Sequence, residues 1–435
     1  MSKKNFNVYF DFGSSKIRAV AFNKINQKQF HSIENRCLSI LKIKKLNLSN
    51  SEIALYTSWL YLPWVIKPLW SPFVDIFKTK RFWIILMQLF IGAALAGVAL
   101  TIPTSNMLRY TLVFFWLIAF SSSTHDIAAD GFYMLGLSSH DQAWFVGIRN
   151  TFYRFAILTG QGLLVILAGQ LENFYNNVTL AWSIIFGILA ILFIVFAFYH
   201  KFILPHPRQD NNQSTLNLNE VIPNFLKVFI SYFNKPQILM AICFILIYRF
   251  GEAQLVKIAP LFMLDSMEMG GLGLSTSEYG FIYGTLGMIM LTLGGIAGGL
   301  LVSKNGLKYW IIWMALAMKL PDIVYVYMAY TQPENYYLVS FFVAIEQFGY
   351  GFGFTAYLLY MMMLSEGEHK TAHYAICTGF MALGMMIPGM FSGFLQESIG
   401  YKYFFNWVML ATIPGILLIK FLKIDSKFGI KREII

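Results

Sequence analysis

Charge is what this 435-residue chain has least of. Asp, Glu, Lys and Arg make up 13% of it, against about 25% in an ordinary soluble domain. A soluble multidomain enzyme is thereby excluded. Cysteine is scarce too. Cys37, Cys243 and Cys377 show no regular spacing, which argues against a disulfide framework or a thiolate metal site, so no metal or other cofactor is expected. A signal peptide is also missing, because charged residues recur too often in the first 50 positions to leave the apolar core such a segment needs. What fills the chain is apolar: 57% hydrophobic residues and a mean hydropathy of +0.57. These residues gather in runs of roughly 20, the length a helix needs to cross a bilayer.

Reading the runs with their polar punctuation gives eleven candidate spans: 52–75, 82–102, 108–135, 144–170, 178–199, 236–262, 277–302, 308–330, 336–364, 372–396 and 401–422. The one long polar connection, 200–235, follows the fifth. An all-α membrane protein of two helical halves is therefore expected, 46–199 and 236–424, with a central loop over 200–235 and a tail over 425–435.

The net charge of +11 looks at first like a field for polyanions, but it is very unevenly placed. Residues 1–50 hold ten Lys/Arg and two acids, so most of the excess lies in a basic, soluble-looking head of about 45 residues. In the rest, alternate loops divide the cations sharply. One side carries fifteen, among them Lys78, Lys80, Arg81, Lys304, Lys308 and Lys420, and the other carries only Arg109 and Lys402. The positive-inside rule then puts the C-terminus in the cytoplasm. It would also put the most basic segment outside, which conflicts with the rule it rests on. Nucleic acid is not an expected partner.

From about residue 46 the chain resembles the major facilitator superfamily, and within it the AmpG-type muropeptide permeases of the peptide/acetyl-CoA transporter group. The stretches SNSEIALYTSWLYLPWVIKPLWSPFVD, SSTHDIAADGFYML, FVGIRNTFYRFA and EQFGYGFGFTAYLLYMMM carry the likeness. The superfamily's Gly-x-x-x-Asp-Arg/Lys-x-Gly-Arg/Lys-Arg/Lys loop motif is degenerate over Ser71–Lys80, keeping Asp75 and Lys80. It recurs over Gly299–Lys308, keeping Gly306 and Lys308. A motif at equivalent places in both halves fits a parallel repeat. The resemblance implies twelve spans, of which the eleven visible ones would be the second to the twelfth. It further implies a proton-coupled importer of anhydromuropeptides in the bacterial inner membrane, with acyl-CoA or another anionic solute, or an inactive fusion product, as alternatives. No enzymatic activity is expected.

The head resembles another family. NVYFDFGSSKIRAVAFNK is similar to the opening strands of the actin-like division protein FtsA, whose Asp-x-Gly-Ser-Ser turn holds ATP phosphates. Here that turn is Asp11 to Ser15. Some 35 residues cannot bury the core of such a fold, so the head reads as a fusion scar.

Ionisable groups inside spans are costly and mark function by default. Asp126 and Asp130 lie four apart on one helical face, and either carries a coupling proton or pairs with Arg149 or Arg154. Glu252 is a third proton-coupling candidate. Lys67 stands between Pro63 and Pro68 in a helix those prolines would kink. With an anionic substrate, Lys67, Arg149, Arg154, Arg249 and Glu346 are the binding candidates. Arg249 with Glu252, and Lys319 with Asp322, are three apart and could neutralise locally. Glu252 and Lys257 diverge. Tyr133, Tyr153, Tyr248 and Tyr357 could stack on sugar rings, and Gly349, Gly351, Gly353, Gly389 and Gly393 allow close helix approach. The His125-to-Asp130 spacing of acyltransferases is a coincidence, since residues five apart diverge on a helix.

Overall fold

A computed structural model describes residues 49–136, 156, 158–205, 218–367, 370–426 and 428–429. The head and the part of the fourth expected span that holds Arg149, Tyr153 and Arg154 lie outside them. The described residues are almost wholly helical. In the first half are α1 (Asn50–Trp59), α2 (Leu62–Ile76), α3 (Lys80–Thr101), α4 (Met107–Gly136), a π turn (Leu158–Leu163) leading into α5 (Leu164–Tyr175), and α6 (Val178–Ile203). An amphipathic helix, α7 (Leu218–Phe233), stands between the halves. The second half opens with α8 (Ile238–Ile247) and α9 (Phe250–Leu264). It continues through α10 (Thr276–Tyr279), a π turn (Gly280–Leu286) and α11 (Gly287–Asn305). Then come α12 (Leu307–Lys319), a 3₁₀ turn (Leu320–Asp322), α13 (Ile323–Thr331), α14 (Tyr336–Leu364) and α15 (Lys370–Leu418).

Each of the eleven expected segments is helical over most of its described residues, with breaks at 60–61 and 248–249. Seven helices among the described residues are long and apolar enough to cross a bilayer. The last of these, Ala372–Phe421, is two rods meeting at Gly400, whose φ of 73° suits glycine and few other residues.

Local chemistry explains the helix starts. Ser49 and Glu52 form a reciprocal capping box on α1, and Ser275 and Glu278 form another on α10. Thr79, Asn177 and Asn335 accept backbone N–H groups at the starts of α3, α6 and α14. These side chains satisfy donors that the first helical turn leaves open. That matters more in a bilayer, where water cannot supply the missing partner.

The core is continuous between the halves at one end only. One apolar cluster joins Ile53 and Leu60 of α1, Val98 of α3 and Trp182 of α6 to Ile258 and Phe262 of α9, Tyr325 of α13 and Phe405 of α15. Toward the end that carries Lys80 and Lys308 the core divides. One part lies around Ile84, Phe132 and Leu204 of the first half, and the other around Phe244, Met314, Tyr357 and Met361 of the second. Among the described residues, the bundle is thus closed at the Asn50–Gly400 end and separated at the lysine-rich end.

Polar contacts follow the same division. At the closed end Asn50 Nδ2 donates to Gln396 Oε1 (2.5 Å) and to Tyr401 Oη (3.1 Å), and Tyr401 Oη donates to Asp265 Oδ2 (2.5 Å). Nearby, Glu397 Oε1 accepts the Ser51 N–H at 2.8 Å, and Glu172 Oε2 accepts from Thr276 Oγ1 at 3.0 Å. Close helix approach makes these bonds possible, since a side chain on Gly393 would collide with the Asn50 carbonyl.

Candidate functional site

Three groups of charged residues stand out among the described residues away from the closed end. In the first half, Lys67 of α2 donates to Asp126 Oδ2 of α4 at 2.7 Å. Asp126 is buried and Lys67 retains 17% side-chain exposure. Asp130, one turn along α4, adds its field to the same ammonium. The expectation of a carboxylate pair is thereby refined, because one member already holds a cation from the neighbouring helix. Pro63 sits at the start of α2, where a missing N–H costs nothing, so of the two flanking prolines only Pro68 interrupts the helix beside Lys67.

A second group faces across the halves. Lys257 of α9 donates to Thr57 Oγ1 of α1 at 3.1 Å, and its ammonium lies 4.9 Å from the centre of the Tyr61 ring. Arg249, also within electrostatic reach of Tyr61, bonds the Tyr350 hydroxyl. Its guanidinium stands 5.6 Å from the Tyr350 ring and 4.8 Å from that of Phe354. Its Nε is enclosed with no partner. Arg249 occupies the break between α8 and α9, with φ −103° and ψ 15°.

The third group is buried in the second half. Lys319 Nζ bonds Glu252 Oε2 at 3.0 Å, and the ammonium lies 5.3 Å from the Tyr248 ring centre. Glu346 Oε2 accepts from Gln347 Nε2 at 2.9 Å and Tyr325 Oη at 3.3 Å. Asp322 is 3% exposed, and its Oδ2 has no hydrogen-bond partner.

Two sequence expectations are corrected here. Lys319 does not neutralise Asp322 three residues on, and Arg249 does not pair with Glu252. Both expectations assumed an unbroken α-helix between the partners. Instead Lys319 reaches Glu252 of α9 at 3.0 Å, and Arg249, in the break between α8 and α9, bonds Tyr350 of α14. Tyr248 and Tyr357 are also not free to stack on a sugar. They stack on each other, with centroids 5.2 Å apart and planes at 7°, and both are buried. The side chain of Tyr133 lies outside the described residues.

The loop motifs differ between the halves. Lys80 is buried, its Nζ donating to the Val74 carbonyl at 3.3 Å. Lys308 is exposed. Gly306, with φ 82°, ends α11 and begins α12. Sequence reasoning did not find Thr57, Tyr61, Tyr350 or Phe354, the residues that receive the second-half cations. No charge or motif marks them, and only helix packing brings them there.

Two helical halves joined at one end, with paired charges buried between and within them, define a membrane transport bundle. A profile of the Major Facilitator Superfamily matches residues 37–365. The chain belongs to that superfamily, and it is a multi-pass membrane transporter. It is 23% identical over 361 residues to the anhydromuropeptide permease of Escherichia coli K12, covering 82% of this chain and 70% of that one. In fold it matches solved structures of the nucleoside transporter NupG (TM-score 0.70, 14% identity, 93% and 98% of the two chains). It also matches a D-xylose–proton symporter (TM-score 0.70, 13% identity, 94% and 97%).

Proposed function

We propose that this transporter imports anhydromuropeptides across the bacterial inner membrane by alternating access, driven by protons, with its C-terminus in the cytoplasm. The observation that carries the reading is the placement of cations. Lys67 holds a first-half carboxylate while keeping part of its surface open. Arg249 lies over the adjacent rings of Tyr350 and Phe354, its Nε enclosed and without a hydrogen-bond partner among the described residues. A guanidinium with a spare donor suits a carboxylate, and flanking aromatic faces suit an apolar sugar face. Arg149 and Arg154 are further proposed contacts, with Glu346 as a polar partner.

In mechanism, the Asn50–Gln396–Tyr401–Asp265 chain would part when the substrate enters from the far side and re-form before release at the lysine-rich end. Protonation of Asp126 would release Lys67 to a substrate carboxylate, because a neutral acid no longer competes for the ammonium. Loss of the proton would restore the pair and expel the substrate. Asp130 supports Asp126 through the shared field on Lys67. Lys80, Gly306 and Lys308, together with Asp75, whose side chain lies outside the described residues, are proposed as gate residues of the two loop motifs.

The test is uptake of labelled anhydromuropeptide into proteoliposomes with an inward proton gradient. Accumulation that an uncoupler abolishes is expected. Wild-type protein that shows none, although properly folded, overturns the reading.

A further inference from the structure

The geometry points to Asp322 as a second proton-binding group, exchanged against Lys319; this rests on the proton-driven reading above. Asp322 ends the 3₁₀ turn Leu320–Asp322 and is 3% exposed. Three titratable groups on three elements surround it electrostatically: Glu252 of α9, Lys319 of α12 and Glu346 of α14. Tyr325 of α13 lies in the same field, beside Tyr279 and Tyr283 at the π turn.

The three acids are not equivalent. Glu252 has the ammonium of Lys319 at 3.0 Å. Glu346 has two donors. Asp322 Oδ2 has none and is sealed from water. A buried carboxylate oxygen without a donor or cation is costly as an anion, and a proton on it removes that cost. Lys319 bonds Glu252 in this state and makes no hydrogen bond to Asp322 Oδ2. A metal ion does not fit as the missing partner, because among the described residues no three His, Cys, Asp or Glu side chains gather to hold one.

The local backbone supplies the means of exchange. Lys319 is the last residue of α12 and Asp322 the last of the 3₁₀ turn, with Pro321 between them. A 3₁₀ turn inside a helix is a frequent hinge. Tightening or relaxing it changes the angle between the two side chains without moving either helix far. With the core joined at the Asn50–Gly400 end, Lys319 stays with Glu252 and Asp322 keeps its proton. Lys319 then turns to Asp322 and the proton leaves Oδ2 for water at the open lysine-rich end; once the halves rock to open the far side, Lys319 returns to Glu252 and Asp322 takes up the next proton there. Each cycle carries one proton from the far side to the lysine-rich end.

The experiment uses the full chain. In proteoliposomes, Asp322→Asn should lose gradient-driven accumulation of labelled anhydromuropeptide by at least tenfold while retaining counterflow exchange, and Asp322→Glu should recover part of the accumulation. Separately, infrared difference spectra of the purified protein across a pH titration should show a protonated-carboxyl band that Asp322→Asn removes and Asp322→Glu shifts. Accumulation by Asp322→Asn at the wild-type level, or a spectrum identical to wild type, overturns the inference. Should wild type itself fail to accumulate, the proton-driven reading falls while the spectra still decide on Asp322. Should Asp322→Asn misfold, the shifted band of Asp322→Glu decides alone.

Discussion

Lys257 of the second half donates to Thr57 Oγ1 of the first at 3.1 Å, so a buried ammonium helps hold the two halves together. Hydrogen bonds to charged groups contribute about 1.5–3 kcal/mol each. Lys257→Met should therefore shift the population of the closed end toward open by roughly tenfold, given 1.4 kcal/mol per decade. Labelling of Glu397→Cys by an impermeant thiol reagent, with the three native cysteines replaced by serine, should rise accordingly. Unchanged labelling would assign the closure to Asn50, Gln396 and Tyr401 instead.

The Lys67–Asp126 pair should behave as a unit. Lys67→Met alone strands a buried carboxylate, and losing one partner of such a pair costs about 3 kcal/mol or more. The double variant with Asp126→Asn should regain much of that stability in thermal unfolding in detergent, yet not the uptake. Additive losses would show that the two residues act independently.

Helix spacing gives a purely structural prediction. A side chain on Gly351 would press into the Leu291 carbonyl of α11, and overpacking of this kind costs about 1–3 kcal/mol. Gly351→Ala should lower the thermal midpoint, whereas Gly299→Ala, where a Cβ meets nothing within 4 Å, should leave it unchanged.

Orientation can be checked without substrate. A green fluorescent protein fused after Ile435 should fluoresce, and alkaline phosphatase at the same point should be inactive. The converse pattern would reverse the orientation read from the loop cations.

Much of the architecture was readable from composition alone, since a bilayer-length apolar run has few other uses and its helical state follows from backbone hydrogen bonding in lipid. The break at Gly400 fell between two expected spans, whereas Leu218–Phe233, inside the expected central loop, is helical. Most of the buried charges were legible for the same reason, each standing out against an apolar run, but Glu172 and Asp265, buried at the closed end, were not among them. Their partners were not. Lys319 reaches Glu252 of α9 rather than Asp322, and Arg249, at the α8–α9 break, bonds Tyr350 rather than Glu252. Spacing three apart means adjacency only while the helix continues, and sequence spacing alone did not reveal the interruption.

The +11 charge shows the same limit from another side. Its placement along the chain is a property of sequence, and it separates a basic head from a nearly neutral body with one lysine-rich end. By itself the sequence determined that this chain lives in a membrane, which segments are helical there and which family they belong to. Only the tertiary structure decided that Lys67 meets Asp126, that Lys319 meets Glu252, that Lys257 reaches Thr57 and that Asp322 is left without a partner. Membrane partition depends on each segment's own composition, whereas charge pairing depends on which faces of distant helices pack together.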